Sequence, residues 1–284
     1  MAWTARHDRH PAGAGQRGQW ALDPDWRPAE VDITRASVAR MYDYYLGGSH
    51  NFAVDRQRAA EVLVVLPQAR VFARQNRAFL RRAVRYFVAQ GIQQFLDLGA
   101  GLPTVGAAHE VAVECRVVYV DDEPTAVAHG QLLLAGNPLA ACVQADITRP
   151  DEVLDHPDTQ RILDFDQPLG VLLCAVLHFV PDERGPAGVV RAYREALAPG
   201  SMLALSHATA TDYPDLLAEV VDTYRVTQNQ AYPRTRAEVT GLVASFEQLV
   251  WPGVVYTPEW RPEHVADIGD PTESLAYAVV ATCP

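Results

Sequence analysis

The stretch that follows Gly91 constrains the fold most, because short apolar segments alternate there with segments of helical periodicity. This alternation is typical of βαβ units, which build a parallel sheet with helices on both faces. We therefore predict an α/β fold with a doubly wound, mostly parallel sheet. The predicted strands are Gln94–Leu98, Val117–Asp121, Cys142–Ala145, Gly170–Val176, Met202–Ser206 and Ala276–Thr282. The predicted helices are Thr104–Val113, Thr125–Leu134, Gly188–Leu197, Pro214–Arg225 and Ala237–Phe246.

The first ninety residues have a different pattern. Residues 1–30 hold too few apolar side chains to form a core, so we expect a disordered or loosely docked tail. Ser37 is a favourable N-cap for a short amphipathic helix, which the pair Gly47-Gly48 would end. A longer helix should carry an apolar stripe from Val71 to Val88. The predicted divisions are a tail at 1–30, a helical cap or lid at 31–90 and a Rossmann-like domain at 91–284.

The charged side chains exclude several classes of protein. All 24 basic residues are arginine against 35 acidic residues, which gives a net charge of −11. This balance argues against nucleic-acid partners, and the lack of lysine excludes pyridoxal enzymes, P-loop NTPases and protein kinases. Six arginines share one face of the longer predicted helix, and we interpret them as a solvated face paired with neighbouring carboxylates. They are Arg70, Arg74, Arg77, Arg81, Arg82 and Arg85.

Cysteine and histidine usage points to an ordinary reduced protein without a metal. The four cysteines form no C-x-x-C pair, which fits a cytoplasmic setting. The histidines lack metal-ligand spacing, so we expect no metal site. Apolar runs are too short to span a bilayer, so we expect no membrane partner. The composition is compatible with a monomer or a homodimer.

The residues that end the predicted strands form a candidate ligand site, because ligands bind at the carboxyl ends of strands in doubly wound sheets. Asp97 precedes a turn formed by Gly99, Ala100 and Gly101. Asp121 lies twenty residues beyond Gly101, the spacing at which a carboxylate binds ribose hydroxyls. The third strand leads into residues suited to the amino group and face of an adenine. These are Asp146 and Ile147, and the neighbouring strand-end residues Asp122 and Ala175 complete the predicted cofactor-binding set.

The first of these loops favours S-adenosylmethionine over a dinucleotide. A dinucleotide fingerprint requires a third small residue where this chain has Thr104. Asp97 would repel a pyrophosphate, whereas it suits the amino group of a methionine moiety. The predicted cofactor is therefore S-adenosyl-L-methionine, with S-adenosyl-L-homocysteine as its product.

Several motifs resemble one known family. It is the actinobacterial S-adenosylmethionine-dependent methyltransferase family long classed as a domain of unknown function, and the resemblance extends from about residue 31 to the end. It implies a class I, Rossmann-like methyltransferase fold with this cofactor, and it names no acceptor. The motifs are 38–48 (VARMYDYYLGG), 76–80 (NRAFL), 99–104 (GAGLPT), 118–121 (VYVD), 176–180 (VLHFV) and 206–209 (SHAT).

Methyl transfer mainly requires alignment of the acceptor and, for some nucleophiles, removal of a proton. His178 and His207 follow the fourth and fifth predicted strands and are candidate general bases. Tyr42, on the first helix, is a candidate to act on the acceptor or to close the site. We expect the acceptor to be a small molecule.

Other functions fit the same residues. A sensor could bind the cofactor without turnover, since a fold and a cofactor do not establish a reaction. An enzyme could instead use the sulfonium for an intramolecular displacement, an elimination or a rearrangement. A short-chain NAD(P) reductase is disfavoured by Thr104 and by the lack of a Tyr-x-x-x-Lys pair.

Overall fold

A computed structural model of the chain describes residues 33–104, 106–213, 230–264 and 268–283. Within these residues the strands are β1 (Gln94–Leu98), β2 (Arg116–Asp121), β3 (Ala140–Gln144), β4 (Gly170–Cys174), β5 (Met202–Ala208), β6 (Gln248–Leu249), β7 (Val255–Tyr256) and β8 (Ala276–Thr282). They form one sheet in the order β3-β2-β1-β4-β5-β8-β6, with β7 also paired to β8. Strands β1 to β5 are parallel, and β8 is antiparallel to β5. The predicted doubly wound, mostly parallel sheet is confirmed.

The central strands are mostly apolar because both faces of the sheet are covered. Phe95 lies in one hydrophobic layer, whereas its neighbour Leu96 lies in the other, as the alternation of a strand requires. Both side chains are fully buried. This two-sided burial explains why the strands are mostly apolar, and the carboxylates of Asp97 and Asp121 lie toward the carboxyl ends of β1 and β2.

The described helices surround the sheet, and the first two, together with the first turns of the third, build what we call the N-terminal cap. They are α1 (Val38–Leu46), α2 (Ala53–Val65), α3 (Ala69–Ala89), α4 (Ala108–Val111), α5 (Pro124–Leu133), α6 (Pro150–Leu154), α7 (Pro157–Ile162), α8 (Pro186–Glu195) and α9 (Arg236–Leu242). Helix α3 buries Phe79, Val84 and Phe87 against the sheet. Its first turns instead join α1 and α2 in a separate cluster that includes Met41, Tyr45, Ala59, Val62 and Ala73.

Buried polar contacts fasten the cap to the sheet domain. The Arg40 guanidinium, 1% exposed, forms an ion pair of 2.7 Å with Asp55 of α2. It also reaches Glu123 at 3.3 Å and Thr125 at 3.1 Å, just beyond β2. Helix α1 therefore contacts both α2 and the loop at the carboxyl end of β2.

The glycine pair after α1 has two distinct roles. Gly47 takes a left-handed conformation with φ of 82° and ends the helix, as predicted. A side chain on Gly48 would overlap the carboxylate of Asp43. That carboxylate accepts hydrogen bonds from the backbone N–H of His50 at 2.8 Å and from Asn51 Nδ2 at 2.9 Å. The loop after α1 is thus held in one shape by Asp43.

Some elements differ from the sequence-based predictions. The helix predicted from residue 104 is confined to α4, because Gly106 takes a φ of 78° outside it. Strand β4 ends at Cys174, because Ala175 takes a positive φ of 59°. Helices α2, α6 and α7 and strands β6 and β7 were not predicted. The predicted tail and the predicted helix Pro214–Arg225 lie outside the described residues.

The predicted arginine face of α3 is only partly solvated. Arg70, Arg74, Arg81 and Arg85 are exposed, and Arg85 forms an ion pair with Glu263 at 2.6 Å. Arg82 instead donates to the backbone carbonyls of Trp260 and Thr257 at 2.8 and 2.7 Å. Arg77 lies in a cavity that is described below. None of the described helices has the length and apolar character needed to cross a membrane.

Candidate active site

A cavity of about 770 Å³ lies where the carboxyl ends of the parallel strands meet the cap. Its size is within the range of small-molecule sites. All nine residues predicted to bind the cofactor line it, and so do Tyr42 and His178. The nine are Asp97, Gly99, Ala100, Gly101, Asp121, Asp122, Asp146, Ile147 and Ala175. The cavity is therefore the candidate active site.

The turn after β1 needs its glycines. Gly99 and Gly101 take positive φ values of 69° and 60°. A side chain on Gly99 would also overlap Val176, so no other residue fits there without displacement. The backbone N–H of Gly101 donates to Asp121 Oδ2 at 2.7 Å, and the backbone N–H of Glu123 donates to Asp121 Oδ1 at 3.0 Å. These two bonds fix the Asp121 carboxylate at the cavity wall.

The carboxyl groups of Asp97 and Asp121 both lie at this wall, where burial removes most of their hydration. Burial raises the pKa of Asp97 to about 7, although the Arg77 guanidinium opposes the shift, and the nearby Asp121 adds to it. Burial also raises the pKa of Asp121 to about 7, although the two backbone N–H donors oppose it. Both groups are therefore suited to a ligand that brings its own hydrogen-bond donors or positive charge.

Arg77 is a candidate binding residue that the sequence analysis did not single out. It extends from α3 into the cavity, and its guanidinium lies 5.7 Å from the centre of the Tyr42 ring. Its Nε is buried, and no described residue accepts a hydrogen bond from it. The Arg77 guanidinium and the Asp97 carboxyl group together give the cavity side chains of both charge signs, and the buried Arg77 Nε is available to a ligand.

Asp146 is held by its own neighbours. One of its oxygens accepts from the backbone N–H and the hydroxyl of Thr148 at 2.9 and 2.7 Å. The other accepts from Arg184 at 2.7 Å. Burial would raise the pKa of Asp146, but the hydrogen bonds from Arg184 and Thr148 lower it below the usual value. Burial and the charge of Asp146 together raise the pKa of the adjacent Asp122.

The Tyr42 hydroxyl belongs to a hydrogen-bonded chain across the cavity floor. It donates to the backbone carbonyl of Ala73 at 3.0 Å and accepts from Asn76 Nδ2 at 2.8 Å. Asn76 Oδ1 in turn accepts a short hydrogen bond from the Ser206 hydroxyl. Burial raises the pKa of Tyr42. With its proton committed to Ala73, Tyr42 is suited to shaping the cavity rather than to proton transfer.

His178 faces the cavity as a neutral ring. Burial, together with His207 and Arg234, lowers the pKa of His178 well below its usual value. The backbone N–H of Ala208 donates to His178 Nδ1 at 3.5 Å. Since Nδ1 accepts, the proton of the neutral ring resides on Nε2. Among the described residues none hydrogen-bonds to Nε2.

The structure does not bring His207 to the cavity. Its ring is fully buried, with Nδ1 2.8 Å from the Ala208 carbonyl and Nε2 2.7 Å from Arg234. Burial lowers the pKa of His207 to about 4. Its contacts hold Arg234 beneath β5, and Arg234 also donates to the carbonyls of Leu177 and Val180. Of the two histidines, the geometry therefore favours His178 for contact with a ligand.

Comparisons with known proteins bear on the family and the fold of the chain. A family model described as S-adenosyl methyltransferase matches residues 24–284. The fold superposes with a TM-score of 0.85 on a candidate methyltransferase from Thermobifida fusca, which is 39% identical over 91% of this chain and 99% of that one. A DUF574 family protein from Streptomyces avermitilis is 36% identical over 89% of this chain and 99% of that one, with a TM-score of 0.84. No curated protein matches the chain.

Proposed function

Because the chain belongs to the S-adenosyl methyltransferase family, we propose that its cavity binds the cofactor along the ends of β1 to β3 and the acceptor beside β4 and β5. The protein is an S-adenosyl-L-methionine-dependent methyltransferase whose product is S-adenosyl-L-homocysteine.

The buried acidic and basic side chains of the cavity support the assignment of these residues to parts of the cofactor. Asp97 and Asp121 are 4% and 9% exposed, and both have raised pKa values. A ribose offers two hydroxyl donors to Asp121, and an amino acid offers an ammonium to Asp97 and a carboxylate to Arg77. The residues present therefore fit S-adenosylmethionine, which contains all of these groups.

The remaining residues place the adenine. Asp146 keeps lone pairs on the oxygen that faces Arg184, so it can accept from the adenine amino group, and Ile147 supplies an apolar face. Asp122 lies beside them on the same cavity wall, and the backbone of Ala175 borders the methionine side.

The cofactor, when bound, would supply a sulfonium methyl group, whose carbon is attacked by the acceptor atom in line with the carbon–sulfur bond while the thioether leaves. The protein itself must hold the two reactants in line and keep water out. The Tyr42 chain of hydrogen bonds fixes the cavity floor, and Val176 packs against the glycine turn. We assign positioning roles to Tyr42 and His178 and a structural role to His207.

The proposed acceptor is a small molecule. The cavity is recessed between the sheet and the cap, and its volume of about 770 Å³ must hold both the cofactor and the acceptor. A net charge of −11 opposes binding of a phosphate backbone, so we do not propose a nucleic-acid acceptor.

Calorimetric titration with S-adenosylhomocysteine tests the ribose assignment. Asp121→Asn keeps the shape of the side chain but removes its charge, and we expect the affinity to fall about 100-fold. Asp151→Asn, on the exposed surface of α6, is the matched control and should bind as the unaltered protein does. Unchanged affinity in Asp121→Asn, with the fold intact by circular dichroism, would overturn the assignment.

A further inference from the structure

The part of the cavity beside β4 and β5 differs from the cofactor side in its chemistry. We call it the acceptor lobe and define it by six residues on its wall, Tyr42, Phe72, His178, Phe179, Ala208 and Pro233. Four of the six side chains are aromatic rings. None of the six carries a charge, since His178 is neutral and the Tyr42 proton is bonded to the Ala73 carbonyl.

The rings of the lobe are in mutual contact. The Phe72 and His178 ring centres lie 6.0 Å apart at an interplanar angle of 79°. The His178 and Phe179 ring centres lie 4.3 Å apart at 55°. Edge-to-face and tilted arrangements leave ring faces and edges available to a further planar group. The lobe thus has the walls of a site for an aromatic ligand.

Because none of these six residues is charged, the lobe favours an uncharged ligand. An ion placed in an apolar site loses its hydration and needs a counter-ion there. Arg77 is the candidate partner of the cofactor carboxylate. Arg58, which also lines the cavity, is paired with Glu61 at 2.6 Å. Arg234 is bonded to Asp182 at 2.6 Å. An uncharged ligand avoids this cost.

His178 supplies the polar contact of the lobe. Its Nδ1 accepts from the Ala208 backbone, so its Nε2 carries hydrogen and acts as a donor. A ligand atom that receives this bond must offer a lone pair. The atom that attacks the methyl carbon uses one lone pair, and a second lone pair on the same atom can accept the hydrogen bond from His178 Nε2. Alternatively, His178 can donate to a hydrogen-bond acceptor next to that atom.

We propose that the methyl acceptor is an uncharged, planar aromatic molecule whose reacting end carries a heteroatom that accepts a hydrogen bond from His178 Nε2–H. This inference rests on the proposed function, because it places the cofactor on the β1 to β3 side. In the reaction the heteroatom bonds to the methyl carbon, and the carbon–sulfur bond breaks with its electron pair remaining on sulfur. A proton carried by a hydroxyl acceptor passes to bulk water. His178 is then a positioning donor and not a base.

Three naphthalene probes test the charge preference in the full chain saturated with S-adenosylhomocysteine. They share one ring system and carry a hydroxyl, a carboxylate or a methylammonium group, and each is titrated by calorimetry at neutral pH. We expect naphthol to bind at least about tenfold more tightly than either ion, since a desolvated ion lacks a partner in the lobe. Equal or tighter binding of an ion, or no binding of naphthol, would overturn the proposal.

Substitutions locate the probe and test His178. Phe72→Ala should weaken naphthol binding about tenfold through the lost ring contact. His178→Phe keeps a ring but loses the donor, so naphthol should bind about fivefold less tightly while unsubstituted naphthalene is unaffected. An equal effect on both ligands would contradict the donor role. Trp251→Ala removes an 80% exposed indole and controls for binding to the surface.

Titration with S-adenosylhomocysteine alone distinguishes failure of the proposed cofactor site from failure of the proposed acceptor. If S-adenosylhomocysteine itself fails to bind, the proposed cofactor site is wrong. If S-adenosylhomocysteine binds but naphthol is not preferred, only the nature of the acceptor is wrong.

Discussion

At the scale of single residues, we propose that Arg77 and Asp97 together form a receptor for the amino-acid end of the cofactor. Asp97 is at the end of β1, and Arg77 reaches the same cavity from α3 with a buried Nε. Opposite charges on the wall of one cavity suit a zwitterion, whose ammonium and carboxylate are on one carbon. The methionine end of the cofactor is such a group.

Replacing Arg77 should therefore affect only ligands that contain the amino-acid end. We expect Arg77→Met to lower the affinity for S-adenosylhomocysteine by about 10- to 100-fold, because a charge-assisted hydrogen bond is lost. Methylthioadenosine lacks the carboxylate and should bind equally to both proteins. Calorimetry with the two ligands measures this difference, and Arg74→Met, on the exposed surface of α3, is the control. A parallel loss for both ligands would assign Arg77 a structural role.

The acidic half of this receptor could be predicted from sequence, whereas the basic half could not. Asp97 and Asp121 end predicted strands, and the carboxyl ends of parallel strands meet at one edge. Arg77 is one of six arginines on the same helix, and only the packing of α3 shows which of them turns into the cavity. The donor state of His178 likewise depends on the backbone of Ala208, thirty residues away.

At the scale of elements, the Tyr42 hydroxyl links α1 to α3 and, through Asn76 and Ser206, to β5. Removing this hydroxyl leaves the Asn76 amide without an acceptor in a largely buried place. We expect Tyr42→Phe to lower the free energy of unfolding by about 1–2 kcal/mol. Urea denaturation measures the change. Tyr44→Phe, a half-buried neighbour on α1, should stay within about 0.5 kcal/mol of the parent protein, and equal losses would argue against the link.

Elements with clear periodicity were predictable, and short or locally capped ones were not. Strands β1 and β8 have the predicted bounds, because each is a buried, mostly apolar segment between turn residues. Helix α2 was missed since its sequence has little amphipathic character and it buries Asp55, which pairs with Arg40. Helices α6 and α7 have only 5 and 6 residues and begin at Pro150 and Pro157. Helices this short have fewer than two turns, so their sequences contain no recognisable apolar periodicity.

At the scale of the whole molecule, the buried Asp97 of the proposed cofactor site lowers the free energy of unfolding in a pH-dependent way. Burial raises the pKa of Asp97 from an ordinary value near 3.8 to about 7. The folded protein then binds a proton that the unfolded chain has lost between these two pH values, so stability falls as the pH rises through this window. Above about pH 7 the folded carboxylate is ionised, and the cost is constant.

Asp97→Asn should remove this cost. The cofactor-free variant should melt higher than the parent protein, by roughly 2–4 °C for each kcal/mol relieved. The difference should grow between about pH 4 and 7 and then level off, while affinity for S-adenosylhomocysteine falls. Thermal unfolding across this range measures it, with Asp151→Asn as the exposed control. A difference that does not vary with pH, or a less stable variant, would contradict the assignment.

The buried ion pairs of Arg40 tie α1 to α2 and to the loop after β2. If α1 moved away alone, it would expose the carboxylate of Asp55 and leave a guanidinium without its partners, which costs several kcal/mol. We therefore expect α1 to open locally only together with the loop at Glu123. In hydrogen exchange, the amide protons of α1 and of that loop should share one opening event and gain protection together when the nucleoside binds.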